Sequence, residues 1–463
     1  MGNFALFERK MSDAGMGEPV IRAFQRNYEA LLQDETGMIP EASISPAEGL
    51  PSFDKINGEL SADAHLLSQS VVIKLNGGLG TGMGLQGPKS LLKIHEGLNF
   101  LDLMVRQILE LRKTSGAPVR LLLMNSYSTS AETLAHLSKY SAEGLAEASQ
   151  VELMQHQIPK IDATTMSPVE WPADPFLEWC PPGHGDLYPA LVGSGWLDRL
   201  LAAGVKYAFV SNSDNLGAIL DPVILRYFAD SGTPFLMEVT RRTAADRKGG
   251  HLAVRKSDGH LLLREVAQCA IEDLEAFQDI TRHRYFNTNS LWMRLDLLKE
   301  ELKADHGVLP LPMIRNNKTV DPRDKKSTSV VQLESAMGSA IECFQGAMAL
   351  EVPRSRFAPV KTTADLFALR SDAYEVLGNG QVRLAVSRKG VPPVITFCDD
   401  YKLVDQIDAL GIPSLINCRS LTIQGLVHFE PGVILQGDVT FVNTDEMPRS
   451  VKADVYKDQT VCL

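Results

Sequence analysis

Residues 71–92 read VVIKLNGGLGTGMGLQGPKSLL, an apolar run that passes directly into glycine-rich chain. Val71 to Leu75 has the β-branched, apolar character of a buried strand. Five glycines follow within eight residues: Gly77, Gly78, Gly80, Gly82 and Gly84. Without Cβ atoms, such a segment can turn several N–H groups toward one anion and approach it closely. A merely mobile loop would cost the buried strand its order, so an anion-binding loop is the expected reading.

Two familiar phosphate motifs fit this stretch poorly. Gly82, Gly84 and Gly87 satisfy G-x-G-x-x-G, but Gly82 lies seven residues beyond Leu75. A dinucleotide fingerprint begins at the strand end. Gly82 to Lys89 approaches the Walker spacing, yet Pro88 intervenes between Gly87 and Lys89. Proline removes an N–H and steers the preceding residue out of helical geometry, which excludes an ordinary P-loop.

Outward from the loop, short apolar runs alternate with helix-period segments. Phe100 to Leu111 places Leu101, Met104, Val105, Ile108 and Leu111 on one helix face. Val119–Met124 and Lys206–Ser211 read as further strands, and Ser130–Tyr140 as a helix. This alternation predicts an α/β layered domain with a largely parallel sheet. Before it, Val20–Gln33 has helical spacing and Pro40–Ser52 breaks it. After it the period changes: Leu421, Val427, Val433 and Val439 lie six apart, as do Ile423, Phe429, Leu435 and Phe441. A third column, Gly425, Pro431, Gly437 and Asn443, carries turn formers. Three columns in register predict a short parallel β-helix.

The chain has 463 residues, 46 Lys plus Arg against 57 Asp plus Glu, and a net charge of −11. Such a balance argues against a general nucleic-acid or anionic-membrane binder, though a local cationic pocket for a small anion stays open. Six cysteines, at 180, 269, 343, 398, 418 and 462, form no C-x-x-C pair. Neither a zinc knuckle nor a dithiol motif is visible, and scattered thiols suit a reducing compartment. The opening MGNFALFERK lacks the apolar core of a secretory leader, and no run approaches the roughly 18 residues of a membrane span. The expectation is a cytoplasmic protein with no membrane or nucleic-acid partner.

LNGGLGTGMGLQGPKS (residues 75–90) closely resembles the nucleotide-binding loop of the eukaryotic-type UDP-glucose pyrophosphorylases, the UTP–glucose-1-phosphate uridylyltransferases. GHGDLYPAL (183–191), FVSNSDNLGA (209–218), FNTNSLWM (286–293), QLESAMGSAI (332–341) and VPRSRFAPVKTTADL (352–366) extend the likeness over roughly residues 70–440. The resemblance implies a Rossmann-like nucleotidyltransferase domain with a mixed, mainly parallel sheet, followed by a short left-handed parallel β-helix. The implied division is an N-terminal helical segment 1–65, a catalytic domain 66–385 and a C-terminal domain 386–463. The implied reaction joins glucose 1-phosphate to UTP, giving UDP-glucose and pyrophosphate; a pyrophosphorylase for another UDP-sugar is the near alternative. A nicotinamide oxidoreductase rests only on the G-x-G-x-x-G match. A non-catalytic nucleotide sensor would have no use for Lys89, Asp214 and Lys361 together.

The sugar phosphate is already anionic near neutral pH, its second pKa being about 6, so no general base is needed. The obstacle is to bring two polyanions together, which calls for positioning and positive charge. Lys89, just past the glycines, can reach a triphosphate as a compact charge. Lys361 matches the family's second phosphate lysine. Asp214, beyond a strand end, reads either as a Mg²⁺ ligand or as a helix N-cap; the resemblance makes it the metal ligand, with Asn212 beside it. Uracil is expected against the backbone of Leu75, Asn76, Gly77 and Gly78, near Gln155 and Gly183. The sugar phosphate is expected at His184, Asn212, Glu265, Asn287 and Asn289. The family's aromatic-proline-arginine ending after the glutamine is here Ile158-Pro159-Lys160. The open end of a β-helix is a natural surface for homo-oligomer formation.

Overall fold

The strand expected at Val71–Leu75 runs Ser70–Asn76 and lies in the middle of a ten-stranded sheet. The computed structural model describes residues 3–56, 63–95, 97–243, 246–304 and 307–463; residues 1–2 and 57–62 of the expected N-terminal segment lie outside that set. Tyr207–Asn212, Ser70–Asn76, Arg120–Asn125 and Glu152–Met154 follow one another as parallel neighbours. Their carboxyl ends therefore share one edge. The long strand Tyr285–Arg294 lies antiparallel on the other side of Tyr207–Asn212, which brings its early residues to that same edge. The sheet is thus mixed, with its parallel strands contiguous at the centre.

The apolar periodicity names the right faces. In the helix Phe100–Ser115, Leu101, Met104, Val105 and Ile108 are buried, and Leu111 packs at their margin. Asn99 caps that helix, and Asp102 bonds back to complete a capping box. Helix Ser130–Leu137 is shorter than its pattern, because Ser138–Glu143 tightens into a 3-10 turn.

The N-terminal segment contains helices Phe4–Asp13 and Glu18–Leu32, whose Phe7, Phe24 and Tyr28 pack against Ile158, Ile161, Met313 and Leu333. It is not helical throughout. Ile44–Pro46, inside the stretch expected only to break helices, forms an edge strand against His251–Arg255. Three residues are too short for a period-two pattern to register.

The hexads at the C-terminal end form stacked parallel strands. Val394–Phe397, Ser414–Gln424, Ile434–Val442 and Val455–Cys462 pair in parallel, and Val427–Phe429 pairs in parallel with Arg449–Val451. All eight apolar column residues from Leu421 to Phe441 are buried. Leu421 pairs with Val439 and Ile423 with Phe441, so three hexads separate stacked neighbours. The turn column has a steric cause: Gly425 has φ +80°, and a Cβ there would lie 2.0 Å from the carbonyl oxygen of Asn443. The stack shares one apolar cluster with the ten-stranded sheet and its helices, since Phe429 and Phe441 belong with Met104 and Phe209. The six cysteines form no disulfide with one another. Among the described residues no helix is long and apolar enough to cross a membrane.

Candidate active site

Every parallel strand delivers a polar group to the shared edge. Ser70–Asn76 leads into the glycines, Arg120–Asn125 into Ser126, Glu152–Met154 into Gln155, and Tyr207–Asn212 into Asp214. Ligands gather at this edge in open α/β sheets. Among the described residues no α-helix lies between the glycines and Phe100, where the 3-10 turns Thr81–Met83 and Lys89–Leu91 are followed by the short strands Lys93–His95 and Leu98–Asn99. The dinucleotide and Walker readings lack the helix both require.

Backbone contacts hold the loop shut from within. The Lys89 N–H donates to the Gly78 carbonyl at 3.1 Å, and the Ser126 hydroxyl to the Gly77 carbonyl at 2.9 Å. A Cβ on Gly77 would sit 2.6 Å from Gln155 Oε1, so a larger residue there would push the Gln155 amide out of its place against the loop. The Leu75 carbonyl accepts the Ser213 N–H at 3.1 Å. Asn76 turns its side chain inward, its amide donating to Asn125 Oδ1 at 2.7 Å and Thr133 Oγ1 at 3.1 Å. Asn76 therefore offers a ligand its backbone alone.

The decisive pair lies at the mouth of the loop. Lys89 Nζ donates to Asp214 Oδ2 at 2.6 Å, and both side chains are mostly covered. Asp214 Oδ1 is buried without a hydrogen-bond partner. Asp214 is not a helix cap: Asp221 caps the following helix, Pro222–Ser231, through the Val223 and Ile224 amides. Of the two readings open at Asp214, the cap is thereby removed. Asn212 ends its strand beside this loop, its carbonyl accepting the Asn215 N–H at 3.3 Å.

Lys361 arrives from a distant segment. The Val360 N–H donates to the Asp214 carbonyl at 3.2 Å, and Asn215 bridges to Pro359. Asp365 Oδ2 accepts the Lys361 and Thr362 N–H groups and the Thr362 hydroxyl, fixing the backbone while the Lys361 side chain stays exposed. Its charge reaches Glu265, opposing the upward push that burial gives the Glu265 carboxyl.

On the other flank, the Gln155 amide donates to the Gly183 carbonyl at 3.1 Å. Gly183 has φ +79°, and a Cβ there would meet the Ser335 carbonyl oxygen at 2.4 Å. His184 Nδ1 accepts the Met337 N–H at 2.9 Å. Burial pushes this imidazole down to about 4, so it stands neutral with Nε2 carrying the proton. Asn287 and Asn289 sit where the register of Tyr285–Arg294 against Phe235–Arg241 slips: Glu238 pairs with Ser290, but Val239 pairs with Asn287. The bulge puts Asn289 at φ +56°, and the two side chains clasp through a 2.8 Å bond.

A pH expectation follows from His184. The unfolded chain binds its proton near 6.5 and the folded chain only near 4, so stability falls as pH drops through that interval. Urea midpoints at pH 7 and pH 5 should diverge less in His184→Gln than in the unsubstituted chain. An unchanged difference would show that His184 is not held neutral.

A family model described as UTP–glucose-1-phosphate uridylyltransferase matches residues 21–436. The chain belongs to this family. A uridylyltransferase of that name from Saccharomyces cerevisiae is 42% identical over 382 residues, covering 82% of this chain and 75% of the yeast protein. The Hordeum vulgare protein is 41% identical over 388 residues, covering 82% and 79%. A crystal structure of a Leishmania major UDP-glucose pyrophosphorylase variant in complex with UDP-glucose superposes with TM-score 0.93 at 44% identity, covering both chains fully. A Trypanosoma brucei UDP-glucose phosphorylase gives 0.90 at 46%, again over both full lengths.

For a uridylyltransferase, a divalent cation is the natural counter-ion to the triphosphate. Among the described residues no cluster of three His, Cys, Asp or Glu could hold one alone. Asp214 still fits, because its buried Oδ1 lacks a partner and Mg²⁺ commonly takes one carboxylate with phosphate oxygens. Sequence reasoning passed over Ser126, Lys74 and the Glu238–Arg356 pair. Lys74 carried a signal, a lysine inside an apolar strand. Ser126 carried one too, a Ser and Thr129 flanking a strand-to-helix turn, with the Thr129 hydroxyl accepting the Ser126 N–H at 2.9 Å. Lys160, by contrast, is structural: its ammonium donates to the Val320 carbonyl at 2.9 Å.

Proposed function

We propose that this chain transfers the uridylyl group of UTP to glucose 1-phosphate, releasing pyrophosphate and forming UDP-glucose. The observation that carries the reading is the Lys89–Asp214 pair at the mouth of the glycine loop, with one carboxylate oxygen of Asp214 buried and unpartnered. A sugar-phosphate oxygen attacks the α-phosphorus in line, and pyrophosphate leaves on the opposite side. Lys89 and Lys361 offset the charge of the two anions, and neither has to lose a proton. The backbone of residues 75–78, with Gln155 and Gly183, receives the uracil. The Nε2–H of His184 and the side chains of Asn212, Glu265, Asn287 and Asn289 receive the sugar phosphate. Mg²⁺, held by Asp214 together with phosphate oxygens, would supply further charge neutralisation when bound.

The relatives from Saccharomyces cerevisiae and Hordeum vulgare are UTP–glucose-1-phosphate uridylyltransferases, which favours glucose over another sugar. A pyrophosphate-release assay with UTP and a panel of sugar 1-phosphates tests this directly. Release with glucose 1-phosphate in clear excess over N-acetylhexosamine 1-phosphates is expected, and the reverse order would overturn the reading. The division we adopt is 1–65, 66–385 and 386–463, the last holding a left-handed β-helix, in a cytoplasmic enzyme. The exposed strand Val455–Cys462, paired on one side only among the described residues, is the natural edge for self-association.

A further inference from the structure

Lys74 sits inside the central strand, three residues before the first loop glycine, Gly77, and is 2% exposed. Its ammonium donates to Ser211 Oγ at 2.8 Å and to the Ala218 carbonyl at 2.6 Å. These two acceptors stand at the beginning and the end of the loop that carries Asp214. One buried cation therefore closes that loop across its base. A second closes it from the opposite side. Arg356 donates to the Ile219 carbonyl at 2.9 Å, and its own carbonyl accepts the Asn215 amide at 3.1 Å. Arg356 is held in turn by both oxygens of Glu238, which is fully buried and also accepts the Trp292 indole N–H at 2.9 Å. The two loops pack so closely that a Cβ on Gly217 would meet the Ser355 carbonyl oxygen at 2.4 Å.

Burial drives the Lys74 ammonium down to about 7, with Arg356 adding to the push and Glu238 and Asp214 opposing it. A methionine would fill the same space without the cost of a desolvated charge. Lys74 lies beneath the loop, and its recorded bonds go to protein acceptors, so it is placed to act through the loop rather than on a substrate.

We propose that Lys74 is a positioning residue for the uridylyl-transfer site, setting the place of Asp214 by tying Ser211 to Ala218 beneath it. This rests on the uridylyltransferase reading, in which Asp214 meets the metal–triphosphate. Lys74→Met removes both bonds while keeping an unbranched apolar stem only one atom shorter. A carboxylate displaced by a fraction of an ångström to 1 Å is expected to cost up to about 10²-fold in kcat. The KM for glucose 1-phosphate should change little. A readout independent of turnover is UTP affinity by calorimetry, measured with saturating Mg²⁺ and with EDTA. The strengthening that Mg²⁺ gives the unsubstituted protein should shrink in Lys74→Met, while the affinity in EDTA stays close to that of the parent. In an Asp214→Asn background, Lys74→Met should have little further effect on kcat, because residues acting through one another are not additive.

Lys74→Met that folds and retains parental kcat and Mg²⁺ response would overturn the proposal, as would an undiminished effect in the Asp214→Asn background. If Lys74→Met fails to fold, Ser211→Ala decides in its place. It removes one acceptor only, and the Mg²⁺-dependent gain in UTP affinity should still fall; an unchanged gain overturns the proposal. Absence of UDP-glucose formation by the unsubstituted chain would instead reject the functional reading, so the two failures are separable.

Discussion

Lys89→Ala is expected to slow single-turnover formation of UDP-glucose by about 10²–10³, the size seen when one preorganised donor to a developing charge is removed. Lys89 is built into the site: its backbone N–H closes the loop on Gly78, and its Nζ lies 2.6 Å from Asp214. Lys89→Arg should recover little of the rate. The guanidinium keeps the charge, but its planar fork does not occupy the place of a compact ammonium. The rate lost in Lys89→Ala should not return at high pH, since no proton has to leave the lysine. Rapid-quench measurement of a single turnover at saturating substrates isolates the step. A near-parental rate in Lys89→Ala would remove this residue from the phosphates.

Much of this arrangement was legible in the sequence, and the reasons are local. An apolar strand entering clustered glycines is self-announcing, because both features lie within twenty-two consecutive residues. Hexad columns are equally plain, since each apolar side chain packs on its copies along a short repeat. Helix Phe100–Ser115 was found with its buried face correct because its period runs unbroken for three turns. The catalytic role expected of Lys361 and the sugar-phosphate-binding roles expected of Glu265 and the asparagines came instead from family resemblance, because no local pattern marks them.

What escaped depends on pairings that sequence does not order. Glu238 and Arg356 are 118 residues apart, and nothing in either neighbourhood names the other. Glu238 would ordinarily count against a fully buried strand position. The bulge at Thr288 and Asn289 exists only in the register against Phe235–Arg241, which no local pattern fixes. Asn76 sits among residues expected to line the nucleotide, yet strand alternation turns its side chain to Asn125. The same alternation turns Lys74 toward Ser211, beneath the loop rather than into it.

Asp214→Asn is expected to abolish most of the Mg²⁺-dependent activity, with a loss comparable to that of Lys89→Ala, about 10²-fold or more. The amide keeps the size of the carboxylate but loses its charge, and it can turn an NH₂ toward the Lys89 ammonium, where two donors would oppose each other. The partnerless Oδ1, buried in the loop, is the oxygen a cation would use. Raising Mg²⁺ should recover only part of the rate. Stability offers an independent check on whether this is chemistry or damage. The single variant leaves a largely covered ammonium without its counter-charge, which should cost about 1–3 kcal/mol. Adding Lys89→Met removes the second charge, and replacing a covered ion pair by neutral side chains is often close to neutral for folding. The double variant should therefore regain much of the stability lost by Asp214→Asn while remaining as inactive. Urea unfolding and initial-rate assays on the parent, Asp214→Asn and the double variant separate the two effects. If activity returned together with stability in the double variant, the Lys89–Asp214 pair would be scaffolding, and the phosphates would have to bind elsewhere.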